Sequence, residues 1–138
     1  MAIIIPTDLN DYGRKIYTLA LKCFTKDIPP RLSGDVEVLI NDGGVDVSSI
    51  TTEYIKPNGY EGMKISIKTA LPNSTYKVLA VSGAGCEDPS GFVHGIKLVV
   101  GENHIVVFGI DEDRAPEYVE NMNGYFDYFI LQINYIKI

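Results

Sequence analysis

The six residues Met63-Lys64-Ile65-Ser66-Ile67-Lys68 alternate strictly between apolar and polar side chains. A pleated backbone puts every second side chain on one face, so the stretch reads as a half-buried strand with Met63, Ile65 and Ile67 turned inward. A slip of one residue would expose three apolar side chains and drive two lysines into the core, so the register is firmly specified. Leu71-Pro72-Asn73-Ser74-Thr75 ends the run. Pro72 fixes φ and lacks an amide hydrogen, and Asn73 and Ser74 hydrogen-bond their own backbone, so the chain turns. Strand character resumes over residues 76–81.

Similar punctuation runs through the rest of the chain. Residues 36–40 read as a strand, Asn41-Asp42-Gly43-Gly44 as a tight turn whose residues tolerate positive φ, and residues 45–51 as the return strand. Asn58-Gly59 marks another turn, and the small and turn-forming residues 82–91 read as the longest surface loop. Residues 92–100 and 104–110 form strands around Gly101-Glu102-Asn103, residues 111–123 are polar and irregular, and residues 125–138 form a long final strand. Seven or eight short strands without alternating long helices predict an all-β fold, an antiparallel β-sandwich of jelly-roll or Greek-key type. A chain of 138 residues is one ordinary domain. Pro29-Pro30 divides it into an amphipathic segment, 1–31, too small to fold alone, and the sandwich, 32–138.

That first segment supports three readings. Thr7 or Asp8 can cap a helix, and Leu9, Tyr12, Ile16, Leu19 and Cys23 recur at helical spacing, with acidic residues early and Lys22 and Lys26 late. Such a helix would lie against the sandwich or supply a short seam for self-association. Tyr17, Leu19, Leu21 and Cys23 also alternate, which is the pattern of a strand, and Gly13 weakens a helix. Residues 9–24 are therefore helix or strand.

The order Val47-Ser48-Ser49-Ile50, a Gly/Tyr turn, the alternating strand, Ala70-Leu71-Pro72-Asn73-Ser74-Thr75-Tyr76-Lys77-Val78 and, much later, Phe126-Asp127-Tyr128-Phe129 resembles the C-terminal β-sandwich tips of bacteriophage tail fibres and related tail proteins. In those tips an Asn-x-x-Tyr-x-Val turn and strand recurs and an aromatic Phe-x-Tyr strand closes the sheet. The resemblance covers about the last two thirds of the chain. It implies a virion structural protein made in the bacterial host cytoplasm, homo-oligomeric and commonly trimeric, in contact with other virion proteins and with a host-surface glycan or protein. It implies no catalytic residues.

Charge and residue inventory point the same way. Twelve basic against eighteen acidic residues give a net charge of −6, which disfavours nucleic acid as a partner. Ala2-Ile3-Ile4-Ile5 is stopped by Pro6 far short of a signal core or a spanning helix, so no membrane insertion is expected. Cys23 and Cys86 are too few for a disulfide scaffold, although one bridge between them could form. His94 and His104 flank a turn, with no cysteine spaced to complete a zinc site.

The acidic runs Asp111-Glu112-Asp113 and Glu87-Asp88 read first as solvated loops, with calcium the cofactor that oxygen-rich loops of this kind would suit. Gly83-Ala84-Gly85 lacks the lysine and helix of a phosphate cradle. No cofactor, metal or catalytic group is expected, and the reading is non-enzymatic. Receptor contact is expected from Gly83, Gly85, Glu87, Asp88, Asp111, Glu112, Asp113 and Tyr118, because loops on a rigid sandwich carry binding. A carbohydrate-binding or calcium-dependent lectin-like module is the alternative. Nine tyrosines and no tryptophan suit half-buried positions with a wet hydroxyl, in cores, subunit interfaces or sugar platforms.

Overall fold

The computed structural model describes residues 14–27, 29–87, 93–110, 118–122 and 126–138. Among them lie nine strands: β1 (Tyr17–Phe24), β2 (Val36–Asn41), β3 (Thr51–Ile55), β4 (Gly62–Ser66), β5 (Tyr76–Glu87), β6 (Val93–His94), β7 (Ile96–Val100), β8 (His104–Gly109) and β9 (Tyr128–Lys137). They form two antiparallel sheets, of order β2-β1-β9-β5-β6 and β3-β4-β8-β7. The pairs β1–β9, β5–β9 and β4–β8 are not consecutive, so the chain crosses between sheets in the Greek-key manner. The protein is an all-β sandwich.

The core lies between the sheets and follows from alternation. Met63, Ile65 and Ile67 are buried as the pattern requires, facing Leu19, Leu21 and Cys23 of β1 and Phe129, Leu131, Ile133 and Tyr135 of β9. Register aligns the inward residues of β1 and β9, with Leu19 opposite Ile133, Leu21 opposite Leu131 and Cys23 opposite Phe129. Full burial stabilises each such aliphatic or aromatic side chain by about 1.5–3 kcal/mol, so these three cross-strand pairs anchor the larger sheet.

Of the three readings of the N-terminal segment, the strand holds for residues 17–24, while Leu9, Tyr12 and Gly13 lie outside the described residues. Leu21 decides it physically. A helix carrying Leu19 and Cys23 on one face would turn Leu21 away, whereas in β1 all three are fully buried. Both edges of β1 are satisfied, by β2 and by β9.

Several sequence expectations are corrected, among them the single strand expected over residues 92–100, which is divided between β6 in the five-stranded sheet and β7 in the other. Residues 36–40 and 45–51 do not form a hairpin: β2 pairs with β1, and the chain then leaves for the other sheet through a 3-10 turn at Val47–Ser49. The turn itself is real. Asn41 clamps it by donating from Nδ2 to the Val45 carbonyl and accepting the Val45 N–H at Oδ1, both at 2.9 Å, and Gly44 takes φ +69°. A turn of this kind reverses the chain without choosing which sheet receives it.

The expected loop at 82–91 is also wrong in its first half. Residues 82–87 extend β5 along β9, as far as Glu87 opposite Tyr128. At Gly83 a small residue is needed because β7 packs closely: a Cβ there would lie 2.6 Å from Cδ1 of Ile96. The Phe126-x-Tyr128 segment leads into β9, which lies inside its sheet between β1 and β5 and not at its margin.

The remaining turns hold. Asn58-Gly59 joins β3 to β4, with Gly59 at φ +83°, and Gly101-Glu102-Asn103 joins β7 to β8, with the Gly101 N–H donating to the His104 carbonyl at 2.8 Å. The Pro72 turn carries the chain from β4 to β5, from one sheet to the other, and Asn73 Nδ2 pins it to Glu102 Oε1 at 3.0 Å.

Candidate aromatic cleft and open sheet edge

Outward-facing residues of the four-stranded sheet build a small aromatic cleft. In β8, Val107 is fully buried, so its neighbour Phe108 faces outward, with Lys97 of β7 and Gly62 of β4 opposite it on either side. Gly62 lets the Phe108 ring lie close to the sheet, since a Cβ there would approach Cε1 of Phe108 to 2.7 Å. Tyr118 is brought over this surface by an antiparallel bridge to Ile110 and by the Val119 N–H, which donates to the Gly109 carbonyl at 3.1 Å. Its ring centroid lies 5.6 Å from that of Phe108, tilted by 33°, and 5.8 Å from that of Tyr60, at 74°. Pro57 and Asn58 of the β3–β4 turn, with Lys97 and Val99 of β7, complete a cleft of about 250 Å³. Lys97 Nζ stands 5.8 Å from the Tyr118 ring centroid.

A second surface lies where β5 and β7 run at the margins of the two sheets. β5 pairs with β9 along one edge, but along the other only Cys86 and Glu87 pair, with β6. Among the described residues, the opposite edge of β5 from Tyr76 to Ala84 therefore has no strand beside it. A groove of about 750 Å³ runs along it, lined by Tyr76, Val78, Val81 and Val100 among others. Leu79, Val100 and Ile138, all lining it, are 43%, 53% and 55% exposed.

Of the residues expected to contact a receptor, Tyr118 is in the cleft, and Gly83, Gly85 and Glu87 belong to β5 in the other sheet. Asp88, Asp111, Glu112 and Asp113 lie outside the described residues. The structure thus separates Tyr118 from the β5 glycines instead of joining them in one loop surface. Tyr60, Phe108 and Lys97 were missed by sequence reasoning. Phe108 and Lys97 sit at outward positions of β8 and β7 and Tyr60 in the β3–β4 connection, a grouping that becomes legible only once the sheet order is known.

His94 and His104 fall in different sheets, His94 packing edge-on to Phe126 at 5.3 Å. Cys23 is a free thiol, and burial pushes its pKa up to about 12, far from the reactive thiolate range. Among the described residues no three His, Cys, Asp or Glu side chains gather as a metal site. Several carboxylates hold backbone N–H groups instead: Asp42 that of Thr18 at 2.8 Å, Asp27 that of Ser33 at 2.6 Å and Glu61 that of Met122 at 2.9 Å. No helix among the described residues is long and apolar enough to cross a membrane. Comparison of the chain with known protein families, with curated proteins and with solved structures found no match.

Proposed function

We propose that this protein is a non-enzymatic structural protein of a phage or prophage virion, of tail-tip or tail-fibre type, serving assembly and contact with a host-surface receptor. On this reading it is made in the bacterial host cytoplasm, works in the particle beside other virion proteins, and is a homo-oligomer, with the trimer suggested by the sequence resemblance. The observation that carries the assembly part is the open edge of β5. Along residues 76–84 β5 has no strand beside its second edge among the described residues, and with exposed Leu79, Val100 and Ile138 bordering it this edge offers the apolar cover, and the margin for strand addition, that an added strand or subunit uses.

Light scattering on the purified chain at micromolar concentration tests this. A trimer is expected, reverting to monomer in Leu79→Lys, because a charge on an edge strand blocks pairing. A wild-type protein that stays monomeric up to about 100 μM, within the mM-to-μM range of weak association, overturns it.

The aromatic cleft favours a second reading, a carbohydrate-binding module. Calcium dependence would add a rise in melting temperature with millimolar calcium, and sugar binding a rise with simple sugars.

A further inference from the structure

We propose that the cleft between Tyr60, Phe108 and Tyr118 binds a single pyranose unit bearing a carboxylate, with Lys97 pairing to that carboxylate. This deepens the receptor-contact part of the functional reading and rests on it, while being independent of the assembly part.

Size comes first. At ~30 Å³ per water-sized group, a cleft of about 250 Å³ holds roughly eight such groups. That matches the inserted part of one sugar ring. The walls come next. Tyr118 packs on Phe108 at 5.6 Å and edge-on to Tyr60 at 5.8 Å, so the three rings form one continuous aromatic wall against which a flat group can lie. The C–H face of a pyranose is apolar and flat, and it desolvates well against such rings, while its hydroxyls point to the rim. There the Asn58 amide and the tyrosine hydroxyls supply both donors and acceptors.

Charge selects among sugars. Among the described residues, Lys97 is the one charged residue lining the cleft, is exposed, and has no carboxylate partner. Its ammonium already stands over the Tyr118 ring, so a cationic ligand such as a quaternary amine would meet a like charge where it needs the aromatic face. An anionic sugar meets an opposite one. The protein as a whole carries −6, so attraction of the anion is local to the cleft and will be weakened by salt.

The experiment is an NMR titration of the full chain with D-glucuronate, D-glucose and choline chloride as separate probes. Saturable shifts at Tyr60, Phe108 and Tyr118 are expected with glucuronate, at a millimolar Kd, with glucose about threefold weaker, the worth of one solvent-exposed ion pair, and choline silent. Lys97→Ala should remove the preference for glucuronate over glucose. Tyr118→Ala should weaken both sugars about tenfold or more, at the scale of one lost aromatic contact with its buried area. Absence of saturable shifts in the wild-type protein, choline binding more tightly than glucuronate, or an unchanged glucuronate affinity in Lys97→Ala each overturns the proposal. A monomeric protein that binds glucuronate would keep this site and lose the assembly reading, and a trimer that binds no sugar would do the reverse.

Discussion

The molecule contains two clusters of three aromatic rings that are nearly alike in spacing and opposite in setting. Tyr135 stands 5.6 Å from Tyr17 and 5.5 Å from Tyr76, and is fully buried at the end of β9. Tyr118 stands 5.6 Å from Phe108 and 5.8 Å from Tyr60, on the outer surface of the other sheet. In each cluster a glycine makes room: Gly43 lies under the Tyr135 hydroxyl, and Gly62 lies under Phe108. Residue type and ring distance therefore do not distinguish packing from presentation. What does is the parity of the position along its strand and whether a second sheet covers that face. The buried cluster contributes to stability, and the outer one stays partly exposed at the surface of its sheet.

This contrast can be broken from the buried side by alkali. Burial raises the pKa of Tyr135 from its ordinary value of 10.0 to about 12, the nearby Tyr76 and Asp42 adding to the effect, and raises Cys23 from 9.0 to about 12. Both groups are neutral acids held protonated by the fold. Their contribution is fully present below the unfolded-state values and is lost as pH rises through the folded-state ones. Urea titrations should show constant stability from these groups up to about pH 9, then a fall of several kcal/mol toward about pH 12, with Cys23→Ala removing the part that begins near pH 9.

Substituting the two supporting glycines sharpens the contrast. A Cβ at Gly43 would sit 1.9 Å from the Tyr135 hydroxyl oxygen, inside a packed core, so Gly43→Ala should cost about 2–3 kcal/mol by chemical denaturation. Gly62→Ala meets the Phe108 ring at 2.7 Å, but that ring lies on the half-open face and can move, so about 1 kcal/mol is expected. Equal losses at the two sites would remove the distinction between the clusters.

The smallest effect belongs to Tyr135→Phe. The Tyr135 hydroxyl is buried and has no hydrogen-bond partner among the described residues, so its removal should change stability by less than about 0.5 kcal/mol or raise it. The same substitution should recover part of the Gly43→Ala loss, since the atom struck by the new methyl is gone and Cζ of Tyr135, at 2.9 Å, and Cδ1 of Tyr17, at 3.1 Å, remain close.

How far such distinctions can be read from the chain depends on whether a pattern is local. Met63, Ile65 and Ile67 alternate unambiguously, and the sandwich class follows from runs like theirs. Leu19 and Cys23, four residues apart, share a face in a helix and in a strand alike, so only β9, which flanks Leu21 across the sheet, resolves β1. Asn41 and Gly44 announce a turn but not its destination. Gly83 looks like a loop residue because the strand that demands a small side chain there, β7, is specified elsewhere in the sequence. Tyr118 is expected as a contact residue because it lies in the polar, irregular stretch 111–123, whereas Tyr60, Phe108 and Lys97 become its neighbours only through the order β3-β4-β8-β7.

The place of β9 between β1 and β5 also governs how the molecule is made. Tyr17 is paired with Tyr135 and Tyr76 with Lys137, so the larger sheet has no centre until residues 128–137 have left the ribosome. Until then a nascent chain holds β1 and β5 apart with their inner edges unsatisfied, and closure is a late event of high contact order, slow by comparison with hairpin formation.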